Sequence, residues 1–271
     1  MARFSINEMT TYRWSFEEDV HHCAAAGIES IAVWRQKLSD FGEDKGVELL
    51  AESGVSVSSL LWAGGFTGSD GRSHKEAVAD ARDAIHLAAE LNAECLIVYS
   101  GARAGHTQSH ANRLLRTALT SLLPIACEFG IPLAIEPVPT TYGDGWSFLS
   151  SIDNAQVFLD EFDSPQLQLV FDTYHFGRDE KIAERLPDLA SRIAIVQLAD
   201  GKRSPRMEQN RCRLGEGTIP LATIISQLLR GGYDGTFDVK LMGEEIEVCD
   251  YAELVAHSKQ VFDELTTAAS V

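Results

Sequence analysis

Four apolar segments in the C-terminal half of the chain each end in side chains able to move protons or hold charge. They are Ile-Glu-Pro at 135–137, Phe-Asp-Thr-Tyr-His at 171–175, Val-Gln-Leu-Ala-Asp at 196–200 and Val-Lys-Leu at 239–241. Glu136 has an apolar residue before it and Pro137 after it, and an ionised carboxylate is rarely buried without a partner. A carboxylate placed in this way suits general acid–base work, with a structural ion pair as the plainer alternative. Asp172, behind Leu169, Val170 and Phe171, reads in the same manner. Gln197 is a neutral amide that can serve a site or simply satisfy backbone groups. Lys240, between Val239 and Leu241, is either the ion-pair partner of Glu136 or a catalytic amine activated by desolvation.

Such residues act together only if the chain brings their segments to one place, and the pattern of elements supplies a way. Eight short apolar runs, at 4–7, 30–35, 55–62, 94–100, 132–137, 167–174, 193–199 and 236–242, read as strands, several of them nearly continuous in β-branched residues as in strands buried on both faces. Between them, amphipathic periodicity predicts helices over roughly 15–26, 43–53, 74–92, 109–129, 151–162, 180–191, 220–231 and 250–267. Gly27, Gly54, Gly130 and Gly232 fall where C-terminal caps are expected. Eight alternating βα units predict an α/β chain folded as one (β/α)₈ TIM barrel over residues 1–271, in which polar residues at the carboxyl ends of parallel strands share the face that holds active sites. An open doubly wound sheet is disfavoured, since no Gly-x-Gly-x-x-Gly follows the first strand.

Composition narrows the partners. Asp and Glu number 40 against 23 Lys and Arg, a formal net charge of −17, so the chain as a whole repels a phosphate backbone and nucleic acid is not expected. No signal-peptide core and no uncharged apolar stretch of membrane-spanning length is seen, which predicts a soluble cytoplasmic protein with no membrane partner. The five cysteines lack Cys-x-x-Cys spacing and read as small core residues rather than a disulfide framework or a zinc site. Small molecules remain as the expected partners, and a homo-oligomer is compatible with the sequence.

In order along the chain, Thr-Thr-Tyr-Arg-Trp-Ser at 10–15, Ile-Ala-Val-Trp-Arg-Gln-Lys-Leu at 31–38, Ile-Glu-Pro at 135–137, Phe-Asp-Thr-Tyr-His at 171–175, Arg-Cys-Arg-Leu-Gly-Glu-Gly-Thr-Ile-Pro at 211–220 and Gly-Tyr-Asp-Gly at 232–235 carry a resemblance. The chain resembles the sugar phosphate isomerase/epimerase family of the xylose isomerase-like TIM barrel superfamily (AP endonuclease family 2), which also holds inosose dehydratase, 3-dehydroshikimate dehydratase, ketose 3-epimerases and endonuclease IV. The resemblance covers essentially the whole chain. It implies a divalent cation, Mn²⁺ or Mg²⁺, held by residues that fall on Glu136, Asp172 and Gln197, with a fourth ligand, normally Glu, where this sequence has Lys240. It also implies that His175 contacts substrate hydroxyls and that Arg211 clamps an oxyanion or hydroxyl, with Arg203 and Arg213 as rivals.

Lys240 is a departure with a sign attached. The usual four ligands and a divalent ion leave one net negative charge; Glu136, Asp172 and a charged Lys240 leave the same with no ion. At about 4 Å, two unit charges interact by roughly 4 kcal/mol at an effective dielectric of about 20, so Lys240 opposes metal entry rather than merely failing to help it. Ala32 is a second departure, standing where many relatives carry Glu. Arg103 and His106, in Gly-Ala-Arg-Ala-Gly-His at 101–106, follow the fourth strand and face the same rim, where glycines permit close approach of a substrate. Trp14, Trp34, Trp62 and Trp146 lie near strand ends and could form an aromatic floor for a sugar ring, or ordinary rim packing. The cluster Arg203, Arg206, Arg211 and Arg213 could receive a phosphate or carboxylate, close as a lid, or face another subunit.

Taken together, these residues predict a sugar, cyclitol or keto-sugar isomerase/epimerase that abstracts a proton next to a carbonyl. The acid–base candidates are Glu136, Lys240 and His106, substrate contacts fall on His175, Arg211, Arg103 and Trp62, and metal ligands on Glu136, Asp172 and Gln197. A lyase or dehydratase shares the first step. A degenerate sugar-binding barrel would explain Lys240, and an endonuclease IV-like nuclease is opposed by the acidic charge.

Overall fold

The structure is a computed structural model and describes residues 2–142, 145–203 and 210–269. Arg206 of the basic cluster lies outside the described residues. Eight parallel strands close into a barrel in chain order: β1 (Arg3–Asn7), β2 (Ser30–Trp34), β3 (Ser56–Gly64), β4 (Leu96–Tyr99), β5 (Leu133–Ile135), β6 (Leu167–Asp172), β7 (Ile193–Leu198) and β8 (Thr236–Val239). Every expected strand is present, and the long helices Phe16–Ala25, Glu43–Ser53, His74–Glu90, Gln108–Phe129, Ile152–Phe162, Glu180–Leu189, Leu221–Arg230 and Tyr251–Ala269 fall where periodicity placed them. Ser15, Ser73, Thr107 and Ser151 cap four of these helices through their side chains. Gly54 and Gly130 end the helices Glu43–Ser53 and Gln108–Phe129 in the left-handed region, at φ 73° and 69°. No helix among the described residues is long and apolar enough to cross a membrane.

Internal contacts group the chain into two units, residues 1–58 with 171–271, and residues 59–170. In the first, β1 pairs with β2 and with β8, and β7 with β8. Side chains of a strand alternate between its faces. Phe4 of β1 and Phe237 of β8 both meet Phe262 of the last helix, with ring centroids 5.1 and 5.6 Å apart. Ser5, Asn7, Asp238 and Lys240 therefore take the opposite, axial side. There Ser5 bonds Ser58 (2.7 Å) and Asn7 bonds Asp238 (2.6 Å), which makes the centre of this unit polar. In the second unit β3 pairs with β4, β4 with β5 and β5 with β6, with Ile97 opposite Ala134 and Ile135 opposite Leu169.

Candidate active site

The sequence predicts that the sixth strand runs to residue 174, but it stops at Asp172 and the chain turns at once into the short helix Thr173–Phe176. Asp172 causes the turn. Its Oδ1 accepts from the backbone N–H of Tyr174 (2.8 Å) and of His175 (3.3 Å), an N-cap that ends strand geometry. Thr173 Oγ1 then donates to Ala199 O (2.7 Å) and accepts from Ala199 N (2.8 Å), which pins the end of β6 to the end of β7. The cap folds His175 back until its Nδ1 lies 3.7 Å from Asp172 Oδ2.

Arg211 reaches this carboxylate from the loop after β7, and the Gly-Glu-Gly motif explains how. Asp200 is buried at the start of the loop and accepts the N–H groups of Gly201, Gly215, Gly217 and Ile219. A Cβ at Gly217 would stand 2.0 Å from Asp200 Oδ1, so only glycine fits against this anchor. Backbone bonds Cys212 N to Asp200 O (3.0 Å) and Arg211 N to Met242 O (2.8 Å) close the loop. The Arg211 guanidinium then forks onto Asp172, with Nη2 to Oδ2 at 2.9 Å and Nη1 to Oδ1 at 3.3 Å, while Nη1 also donates to Lys240 O (3.1 Å) and the fork lies over the Tyr174 ring. Burial alone would raise the Asp172 pKa, but Arg211, His175 and Lys240 outweigh it and hold the carboxyl well below its usual range. Arg211 was expected to clamp substrate; its guanidinium is engaged with Asp172.

Lys240, directly after β8, is 4 % exposed and donates from Nζ to Gln197 Oε1 at 2.8 Å. The bond fixes the amide's orientation, with Nε2 without a hydrogen-bond partner among the described residues. One strand step below, burial pushes Asp238 up to about 7 despite the Asn7 bond and the pull of Lys240.

This arrangement bears directly on the divalent ion that the family resemblance implies. Glu136, Asp172 and His175 are groups of the type that could hold a metal ion. The Gln197 oxygen accepts from Lys240 and both Asp172 oxygens accept from Arg211, so an ion there would share these oxygens with two cations. A divalent ion about 4 Å from the Lys240 ammonium would meet a repulsion of roughly 8 kcal/mol at an effective dielectric of about 20. Asp172 and Gln197 of the donor set implied by the resemblance are thus engaged with the protein's own cations, which would oppose an ion there, whereas Glu136 accepts from the Trp62 indole.

In the second unit, Glu136 follows β5, and its N–H continues the ladder to Val98 O (3.0 Å). The residue is 2 % exposed, and Trp62 Nε1 donates to its Oε2 at 3.3 Å. Trp62 meets Trp146 edge to face at 5.2 Å, and Trp146 stacks on Tyr99 at 4.2 Å, an aromatic group beside the carboxylate. His106, half-buried, bonds Thr67 O (3.1 Å) and stacks on His110, and Arg103 in the same loop is exposed. Arg203 is exposed, and Arg213 reaches the Cys249 sulfur. Trp14 stacks on His22 and Trp34 on Tyr12.

Sequence reasoning passed over Asp238 and Glu8, and named Asp200 only as the last residue of the Val-Gln-Leu-Ala-Asp segment. Asp238 was legible from alternation, being two residues before Lys240 on the same strand face. Glu8 closes β1 as a buried carboxylate that accepts from Trp34 N and is pushed up by burial and by Asp19, which pairs with Lys37. Its position at a strand end was the available signal.

An uncharacterized protein of Methanocaldococcus jannaschii is 25% identical over 62% of this chain and 58% of its own length. A ketose 3-epimerase of Arthrobacter globiformis is 28% identical over 69% of this chain and 63% of its own length. An inosose isomerase of Halalkalibacterium halodurans is 22% identical over 96% of this chain and 95% of its own length. The chain thus spans about six tenths of the length of the first two. Among solved structures, protein SMc04130 from Sinorhizobium meliloti superposes with a TM-score of 0.89 at 25% identity, covering 97% of this chain and 98% of that one. The IolI protein with a bound zinc atom does so with a TM-score of 0.85 at 19% identity, over 98% of both chains. The family model for xylose isomerase-like TIM barrels matches residues 20–264, and the chain belongs to that family.

Proposed function

We propose that the protein is an isomerase or epimerase of a keto-sugar or keto-cyclitol, working by removal of a proton next to a carbonyl with Glu136 as the base. The observation that carries this reading is a carboxylate 2 % exposed at the end of β5, bonded by the Trp62 indole beside two further aromatic rings. A sugar's C–H face packs on aromatic surface, and a base among such rings is kept from water. Sugar epimerases and isomerases among the relatives support the same class.

In the proposed step the substrate C–H bond breaks, its proton passes to a Glu136 oxygen, and its electron pair forms a C=C bond as the carbonyl oxygen takes up negative charge. Return of the proton to the other face of the same carbon gives an epimer, and to the neighbouring carbon an isomer. Loss of a β-hydroxyl from the same intermediate would give a dehydratase, which product analysis separates. Lys240 in a ligand position favours one further reading, a barrel that binds a sugar without chemistry.

Exchange of a substrate C–H hydrogen with solvent deuterium tests the proposal. Wild type should catalyse exchange on some member of a panel of 3-keto-sugars, ketoses and keto-cyclitols, with and without phosphate. Glu136→Gln should slow it by about 10²–10⁴-fold with little change in ligand binding. Exchange undiminished in Glu136→Gln would remove Glu136 from the role, and no exchange with any member would favour the binding barrel.

A further inference from the structure

Glu8, at the end of β1, lies with Thr11, with Asp19 of the helix Phe16–Ala25 and with Lys37 of the helix Arg35–Phe41. All four are buried. The Lys37 ammonium has three N–H donors, and all are engaged: with Asp19 Oδ2, with Thr11 O (2.9 Å) and with the backbone oxygen of Glu8 (3.3 Å). None is left for the Glu8 carboxyl. Its Oε2 accepts from Trp34 N at the end of β2, and its Oε1 is buried and meets no N–H or O–H donor among the described residues. Fully ionised, the cluster would hold two carboxylates against one cation, with a charged oxygen facing no donor, which burial penalises. One proton removes the difficulty. Glu8 and Asp19 share a side-chain hydrogen bond, which two carboxyl groups can form only when one of them is protonated. Both Asp19 oxygens already accept, Oδ1 from Thr11 Oγ1 and Oδ2 from Lys37 Nζ, so Asp19 is the carboxylate and Glu8 the acid. Cys23 also faces the pair, but its thiol is pushed up to about 12 by burial and by Asp19 and Glu8, so it adds no charge near neutral pH. The strand β2, Ser30–Trp34, carries no titratable side chain.

We propose that Glu8 is a neutral acid in the folded protein, donating its proton to Asp19, and that this bond is a pH-sensitive latch on the segment that leaves β1. The latch goes beyond the reaction proposed above and does not depend on it. Thr10, within the latched segment, donates to Val239 O (2.8 Å) and accepts from Leu241 N (2.8 Å), so it clasps the backbone on both sides of Lys240. When Glu8 loses its proton to solvent, the bond to Asp19 becomes repulsion between two buried carboxylates, and the segment with its clasp on the end of β8 loosens. Burial, and after it the Asp19 charge, raises the Glu8 pKa well above its usual range. The folded state therefore keeps a proton that the unfolded chain has lost. This contribution to stability is complete below the unfolded value of about 4.3 and is lost as pH rises through the folded value.

Glu8→Gln tests the latch, because its amide keeps the shape of a neutral Glu and offers Asp19 an N–H at every pH. Infrared spectra of the full chain labelled with ¹³C in glutamate alone should show a protonated carboxyl at pH 6 that the label shifts, which sets Asp238 aside, and Glu8→Gln should lack it. Amide hydrogen exchange at Trp34, which donates to Glu8, and at Leu241, which donates to Thr10, is then compared between the two proteins at each pH, so that the intrinsic rate cancels. The ratio of wild-type to variant rate should rise by at least about tenfold between pH 5 and pH 8, since opening the latch releases one proton. Absence of the protonated signal in wild type would overturn the assignment of the proton. A rate ratio that does not change with pH would overturn the latch even if the signal is present. A Glu8→Gln protein that circular dichroism shows to be unfolded would also count against a neutral Glu8, since the amide is its nearest mimic.

Discussion

Asp172 and Asp238 are both buried in the same polar centre, and their surroundings drive them in opposite directions. Burial raises each pKa, but Asp172 is forked by Arg211 with His175 and Lys240 nearby, and these win, so it stays ionised. Asp238 has the Asn7 amide, the pull of Lys240 and the Ser5 hydroxyl against it, but burial, aided by the Asp172 charge, wins and pushes it up to about 7. Each case gives a prediction. Arg211→Met strands a buried carboxylate and should destabilise the protein by about 3–5 kcal/mol in chemical denaturation, with the Arg211→Met/Asp172→Asn double variant recovering most of the loss. For Asp238 the folded pKa lies above the unfolded value of about 3.9, so between these values the folded state binds the proton that the unfolded state has lost. Its contribution to stability is therefore complete below about pH 4 and is lost as pH rises through about 7. Asp238→Asn should remove this loss, leaving the variant more stable than wild type at pH 8 but not at pH 5, as read from melting temperatures. Lys240 and Gln197 were visible in the sequence as polar residues at strand ends, whereas the Arg211–Asp172 pair was not, because its partners lie 39 residues apart and meet through a loop with no periodic pattern.

The loop after β7 is the element on which the site geometry depends. Asp200 gathers four N–H groups of the loop in the way that a bound anion would, and the chain must come close enough to let it. Gly217→Ala places a methyl against Asp200 Oδ1 and the Gly201 N–H, both held by these bonds, so relief requires the loop to move. The expected result is a destabilisation of about 1–3 kcal/mol and faster amide hydrogen exchange across residues 211–219, with helices such as Gln108–Phe129 unchanged. Long helices and strands were legible because amphipathic period and capping residues agree with one another, as at Ser73 and Glu76, which form a capping box. The short helices at strand exits, Arg35–Phe41, Thr173–Phe176 and Glu244–Glu247, were not legible, since one or two turns cannot establish a period. At β6 the apolar run continues into Tyr174 and Phe176, both buried, so hydrophobicity extended the expected strand past the point where the Asp172 cap ends it.

Over the whole molecule a formal charge of −17 at pH 7 acts against compactness, because like charges brought together by folding repel one another. Added salt shortens the range of that repulsion from about 10 Å at 0.1 M to about 3 Å at 1 M. Raising NaCl from 20 to 500 mM at pH 8 should therefore raise the melting temperature by a few degrees, where about 1 kcal/mol corresponds to roughly 2–4 °C in a chain of this order of size. Lowering pH toward the sequence pI of about 4.8 should stabilise for the same reason, and so the protonation of Asp238 and the relief of net charge work in one direction. Salt and mutation separate them. Exposed charge is screened, while a buried aspartate beyond the reach of ions is not, so Asp238→Asn should flatten the pH dependence at either salt concentration and 500 mM NaCl should raise both proteins equally. A salt response that disappears in Asp238→Asn would mean that the buried centre, and not the acidic surface, sets the stability of this barrel at neutral pH.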